Sequence, residues 1–217
     1  MTPTVLVAPS GFKESLGPSE AAEAIALGVR RALPQARVIE RPLIDGGEGS
    51  TRELVRASGG RLETVQVHGP LGEAVAAELG WLGGTRHAVI EIAAAAGLRL
   101  VPPSRRDPTL TSSRGVGELI LAALDRGAER LLVGCGDSGV NDGGMGMACA
   151  LGVRFLDADG RPLPEGGGAL ERLAAIDASR IDARLRRVRI DAAVNPEVPL
   201  LGPRGVARVY GPQKGAT

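Results

Sequence analysis

The spacing of apolar positions along this 217-residue chain changes several times, and each change predicts an element. Residues 3–9, PTVLVAP, are a short β-branched apolar run closed by Pro9, the pattern of a buried strand. Ala22, Ile25, Ala26, Val29 and Leu33 then recur at helical spacing between Pro18 and Pro34, so a helix is predicted there. ARVIERPLI (36–44) reads as a second strand, and DGGEGS leads into the helix STRELVRAS, stopped by Gly59–Gly60. A parallel pair of strands is the economical arrangement for this β-α-β-α opening.

Beyond Gly60 the grammar shifts. RLETVQVHG, EAVAAELGWLG and RHAVIEIA are three strand candidates separated by short turns, which predicts a mixed or antiparallel sheet. This shift places a domain boundary near Gly60 and divides the chain into 1–60 and 61–217. A helix follows over 117–124, then the strand RLLVGCG, then a helix over 141–152 whose first turn is Asn141–Asp142. VRFLDADGRPL reads as a hairpin with an Asp-Gly turn, GGGALERLAAI as a glycine-led helix, and VRIDAAV as a last strand.

Three glycine-rich loops, 10–17, 45–49 and 136–146, each follow a predicted strand. In open α/β sheets ligands collect beyond the carboxyl ends of strands, where helix N-termini face outward. The loops are therefore expected to converge on one cleft, bringing Lys13, Asp45 and Asp142 together. Lys13 suits a phosphate or a carboxylate. Asp45 and Glu48 flank two glycines; their carboxylates suit Mg²⁺ or a substrate hydroxyl, and equally an N-cap of the helix behind them. Thr111, Ser112 and Ser113 precede a helix, where they serve an anion or a cap. Ser138, Asn141 and Asp142 converge on another predicted helix start, and Asp142 is the preferred catalytic carboxylate. Gln213 and Lys214 lie between glycines, and Lys214 suits neutralising charge as phosphate transfers.

Composition narrows the class. With 43% hydrophobic residues but only 2% aromatic, the core must be built from Val, Leu, Ile and Ala, which favours an α/β protein. A net charge of +1 without a dense basic run argues against nucleic acid as a partner. No apolar stretch approaches the ~20 residues of a membrane span. The N-terminus lacks a basic segment ahead of its apolar run, so no secretion signal is expected. Cys135 and Cys149 are expected as free thiols in a reducing cytoplasm. His68 and His87 have no partner at ligand spacing and are expected to be ordinary histidines, and Trp81 a core residue.

Taken together, the segments PSGFKES, IDGGEG, TLTSSRGVGELI, SGVNDGGMGM, GPRG and GPQKGAT resemble the bacterial glycerate kinase family, whose members phosphorylate D-glycerate with ATP. No Walker A lysine loop is present, in keeping with that family. The resemblance implies a two-domain α/β kinase, with a discontinuous flavodoxin-like (Rossmann-like) domain begun by residues 1–60, a mixed-sheet inserted domain, and the active site between them. It implies ATP and Mg²⁺ as cofactors and D-glycerate as substrate. It also implies Asp142, Lys13 and Lys214 as catalytic, and Asp45 and Glu48 as metal ligands. Ser10, Gly46, Gly47, Ser112, Ser113, Ser138, Asn141, Asn195 and Gln213 would join Asp45 and Glu48 in binding substrate or phosphate.

The chain departs from the family pattern at three positions: Asp137 stands where glycine is common, Val140 where threonine is, and Asn195 where an aspartate is. GPQKGAT reads as mid-protein, so the two-domain architecture is expected to be truncated at its C-terminus, with a missing half or self-association completing it. A non-catalytic remnant or regulatory subunit that keeps a glycerate or nucleotide pocket is the alternative.

Overall fold

The computed structural model describes residues 2–12, 15–194 and 197–217. The chain opens with β1 (Thr4–Val7), α1 (Pro18–Ala32) and β2 (Arg37–Glu40). β1 and β2 pair in parallel, with Val5 opposite Val38 and Val7 opposite Glu40. Pro18 opens α1, where its missing N–H costs nothing, and the Glu20 carboxylate accepts the Gly17 N–H at 2.8 Å. The apolar stripe of α1 buries Ala22 and Ala26 against Val7, with Val5, Val29 and Val38 packed around them. On this small two-stranded unit, Leu6 stays 63% exposed and Leu43 56%.

α2 (Ser50–Ser58) is bracketed by Gly49 and Gly59, both left-handed, at φ 86° and 65°. It packs against the strands at Arg61–His68, Ala74–Trp81 and His87–Glu91. Its Thr51 and Val55 side chains lie against Gly80, where any side chain would collide with them. α2 thus packs with the sheet that follows it in sequence.

Strands β3 (Arg61–His68), β4 (Ala74–Trp81) and β5 (His87–Glu91) come next, then α3 (Ala93–Ala96), α4 (Arg114–Asp125) and β6 (Arg130–Gly134). α5 (Met145–Ala150), β7 (Arg154–Leu156), β8 (Ala175–Asp177), β9 (Arg189–Ala193) and α6 (Val206–Tyr210) complete the elements. The main sheet has the order β3-β4-β5-β6-β9. Its first three strands run antiparallel and its last three parallel, so it is the mixed sheet that the change of pattern after Gly60 predicts. Alternate residues Ala77, Leu79 and Trp81 of β4, and Ala88 and Ile90 of β5, face Val116, Leu119, Ile120 and Ala123 of α4 in the core. Trp81 is the core residue expected, with the Arg61 guanidinium 5.0 Å from its ring centre.

Two predicted helices differ. α5 begins at Met145 rather than Asn141, because Gly143 and Gly144 take left-handed φ of 60° and 77° and delay the first helical turn. The glycine-led helix at 166–176 is a short 3-10 turn over Gly167–Arg172 followed by β8. There Gly166 is left-handed at φ 106°, and a Cβ on Gly167 would lie 2.9 Å from the Pro108 carbonyl oxygen, so close approach to a neighbouring strand of backbone replaces helix. The Asp-Gly turn forms as expected, with Gly160 at φ 76°, but β7 finds its main partner in β8.

Candidate active site

The loops after β2 and β6 touch backbone to backbone at the carboxyl end of the main sheet. The Gly136 N–H donates to the Gly46 carbonyl at 3.0 Å, and the Cys135 N–H to the Ala193 carbonyl at 2.9 Å. A Cβ on Gly136 would lie 2.5 Å from the Gly47 Cα, and Gly46 combines φ 85° with 2.9 Å to the Ala193 oxygen. Glycine is required at these contacts because no side chain fits.

The amides of residues 46–51 are all bonded within the protein. Gly46 N–H donates to Ser50 Oγ at 3.1 Å, Gly47 to Asp45 Oδ1 at 3.0 Å, and Glu48 to Asp137 Oδ2 at 3.1 Å. Gly49 donates to Glu91 Oε1 at 3.1 Å, Ser50 to the Gly47 carbonyl at 3.2 Å, and Thr51 to Glu91 Oε2 at 3.0 Å. Six consecutive N–H groups therefore have acceptors within the protein. The loop presents carboxylates rather than amides, and Gly46 and Gly47 serve close packing.

Ser10, Asp45, Glu48, Glu91, Arg99 and Asp137 are among the residues lining a cleft of about 930 Å³ between α1 and the main sheet. Across it Glu48 pairs with Arg99 at 3.1 Å. Asp137 is the residue other than glycine with positive φ among those described, at 53°. Burial pushes the Glu91 carboxyl above its ordinary value, against the opposing pull of the Thr51 and Gly49 amides.

The other expected residues form two separate groups. Lys214 is buried, and its Nζ donates to the Val140 carbonyl at 2.6 Å and Ser138 Oγ at 3.0 Å, beneath the loop that carries Asp137. Its neighbour Gln213 gives its carbonyl to Arg106 at 3.4 Å. Asp142 is 1% exposed, locked between α4 and α5. Asp142 Oδ2 accepts from the Ser113 N–H, the Ser113 hydroxyl and the Gly146 N–H, while Oδ1 accepts from the Gly144 N–H. Ser112 donates to Glu165 at 2.7 Å and accepts from the Arg114 N–H. Asn141 lies just before this junction, its carbonyl oxygen 2.5 Å from where a Gly167 Cβ would sit.

The cleft therefore gathers Ser10, Asp45 and Glu48, whereas Asp142, Ser112 and Ser113 serve the α4–α5 junction. Asp142 is not among the residues lining this cleft; its carboxylate is buried in the α4–α5 junction. Lys13 and Asn195 fall outside the described residues. His68 bonds Glu118 at 2.7 Å, an ordinary structural histidine. Among the described residues no three His, Cys, Asp or Glu side chains form a metal-binding group. Both cysteines are free.

Two cleft residues, Glu91 and Arg99, escape the pattern reading. Glu91 did carry a signal: it is a carboxylate ending an otherwise apolar strand, HAVIE, where burial demands a partner.

The glycerate kinase family profile matches residues 5–217. A glycerate kinase of Bacillus subtilis (strain 168) is 53% identical over 213 residues, covering 98% of this chain and 56% of that protein. Glycerate 2-kinase of Escherichia coli (strain K12) is 46% identical over 213 residues, with the same coverage of 98% and 56%. A crystal structure from Salmonella typhimurium LT2, described as a candidate glycerate kinase 2, matches with a TM-score of 0.82 at 48% identity, covering 100% of this chain and 58% of that one. The chain spans about half the length of the curated relatives it matches. On the strength of a match running from Val5 to its last residue, the chain belongs to the glycerate kinase family.

Proposed function

We propose that this chain carries the cleft in which a glycerate kinase transfers the γ-phosphate of ATP to a hydroxyl of D-glycerate. The observation that carries the reading is the cleft itself, in which a glycine-packed loop holds Asp45 and Glu48 facing Arg99. Arginine matches the carboxylate of a small hydroxy acid, and carboxylates match its hydroxyls. The names of the relatives support this assignment of substrate.

Asp45 and Glu48 would hold Mg²⁺. That ion keeps most of its waters and needs one or two protein carboxylates besides the nucleotide phosphates, so the sparse set here fits it. When bound, it would neutralise charge building on the transferred phosphoryl group. Glu48 must exchange Arg99 for the ion, and the substrate carboxylate is a suitable replacement partner for Arg99. Lys13 is proposed to meet the phosphates. The geometry supports Lys214 and Asp142 in holding the loop 136–146 rather than in touching substrate.

The two-domain organisation belongs to the same proposal, with β1, α1 and β2 beginning the flavodoxin-like domain. The packing of α2 on β4 favours a boundary just ahead of that helix. A cytoplasmic setting is proposed too, supported by the free thiols.

The test is ADP formation from ATP by the purified chain with D-glycerate added. Turnover that depends on glycerate, and that falls at least ~100-fold in Asp45→Asn, is the expected result for losing a positioned carboxylate. Failure of the chain to bind either compound in calorimetry would overturn the reading.

A further inference from the structure

We propose that Glu91, at the end of β5, is a positioning residue. Its buried carboxylate bridges the Gly49 and Thr51 amides and so fixes how Asp45 and Glu48 face the cleft. The inference rests on the proposed kinase reading for its effect on rate, but not for its structural content.

Four observations carry it. The carboxylate is 8% exposed, too buried to be a solvated surface acid. Each of its oxygens takes a different amide, Oε1 that of Gly49 at 3.1 Å and Oε2 that of Thr51 at 3.0 Å. Those amides lie on either side of Ser50, the residue that opens α2, where the helix dipole also favours a negative charge. Glu91 also lines the cleft beside the residues that it orients.

The mechanical consequence follows from the loop's composition. Between Asp45 and Ser50 the chain has three glycines, which cost the most entropy to order and carry no side chain to anchor. Such a segment keeps one shape only if its backbone is tied from outside. Asp137, projecting from the loop after β6, ties Glu48 at 3.1 Å. Glu91, projecting from the adjacent strand, ties the next two free positions. Two neighbouring parallel strands thus each send one carboxylate to the same turn. Removing the Glu91 tether releases the turn at Gly49 and Thr51 while the bonds at Gly46 and Gly47 remain, and a resulting misplacement of Glu48 by about 1 Å is enough to cost ~100-fold in rate.

The test uses the ¹⁵N-labelled chain with Glu91→Gln, which keeps the shape but turns an NH₂ group towards one of the two amides, and Glu91→Asp, which keeps the charge but falls short by one methylene. Amide exchange at Gly49 and Thr51 should quicken at least ~10-fold in both, while Leu132 and Val133 of β6 keep their protection. In the glycerate-dependent assay, kcat should fall about 10- to 100-fold with KM for ATP little changed, because the chemistry rather than nucleotide binding needs the loop's geometry. Unchanged exchange at both amides in a folded variant would overturn the proposal, as would unchanged kcat beside a normal wild type. Collapse of both variants would do so too, since a residue that the whole fold needs does not act through this loop. If the wild type shows no glycerate-dependent turnover, the kinase reading fails and the exchange result alone decides the role of Glu91.

Discussion

The Asp142 carboxylate accepts both the backbone N–H and the hydroxyl of Ser113, each at 2.8 Å, and so ties the start of α4 to the start of α5. The same hydroxyl accepts the Met147 N–H at 2.9 Å. Ser113 and Asp142 are 6% and 1% exposed, so water cannot replace either partner. This contact sits beside a close approach of the two helices, where a Cβ on Gly146 would lie 2.7 Å from the Arg114 nitrogen.

Asp142→Asn is therefore expected to be a stability mutant. Asparagine offers one acceptor oxygen, and its NH₂ group would face N–H donors from Ser113, Gly144 or Gly146. Leaving buried donors unpaired costs about 2–4 kcal/mol. For a chain of this length that corresponds to a fall in melting temperature of roughly 5–15 °C. Thermal unfolding followed by circular dichroism measures it. An unchanged melting temperature with turnover lost would return Asp142 to the reacting groups.

Lys214→Met separates two roles for a buried ammonium. Methionine keeps most of the stem but deprives the Val140 carbonyl and Ser138 Oγ of their donor. If Lys214 holds the loop, the variant loses about 1–3 kcal/mol and amide protection falls across 136–140. If Lys214 meets phosphate instead, stability stays near wild type and turnover alone collapses. Denaturant midpoints and turnover, measured on the same preparation, tell the two apart.

These two residues also show what a sequence does and does not disclose. The strands, the mixed sheet and the glycine-rich turns were readable because period-2 alternation and glycine punctuation are local properties. Asp45 and Glu48 were readable for the same reason, being polar groups in a turn after a strand. Asp142 was equally visible as a polar residue, yet its direction was not. Whether it faces a cleft or a helix junction depends on Ser113, 29 positions earlier in the chain. Gly143 and Gly144 also delay the helix predicted from Asn141, which starts only after both have taken positive φ. Glu91 and Arg99 were hidden because each gains its meaning from a partner more than 40 residues away.

The burial of Glu91 predicts a pH dependence of stability with a definite sign. Burial raises its carboxyl above the ordinary value, while the Thr51 and Gly49 amides, and Arg52 nearby, oppose the rise and Glu78 of β4 adds to it. A carboxyl raised on folding binds its proton more tightly in the folded state. Its favourable contribution is thus fully present below the unfolded value of about 4.3 and is lost as pH rises through the folded one. Relative to Glu91→Gln, the wild type should lose stability from about pH 4 upward and then level off. Urea unfolding of both proteins across that range checks it, and a relative gain with rising pH would show that the two amide bonds outweigh burial.

The unit formed by β1, α1 and β2 is held by a small core. Its buried core comprises Val7, Ala22 and Ala26, with three partly buried valines around them. The main sheet, by contrast, packs Leu79, Ile90, Leu119 and Leu131 at full burial against α4. An isolated pair of strands is marginal in water unless a larger apolar face supports it. Here one face has α1, while Leu6 and Leu43 stand exposed beside it. Local opening should therefore need far less free energy in β1 than in β6, where the strand is flanked by β5 and β9 and covered by α4. Amide exchange at Leu6 and Val7 is expected to run at least ~100-fold faster than at Leu131 and Val133, a difference of about 3 kcal/mol in opening. Adding ATP and D-glycerate should slow exchange in 4–7 only if the cleft wall at Ser10 engages a ligand. Equal protection of β1 and β6 without ligand would mean that the small unit is as firmly held as the main sheet.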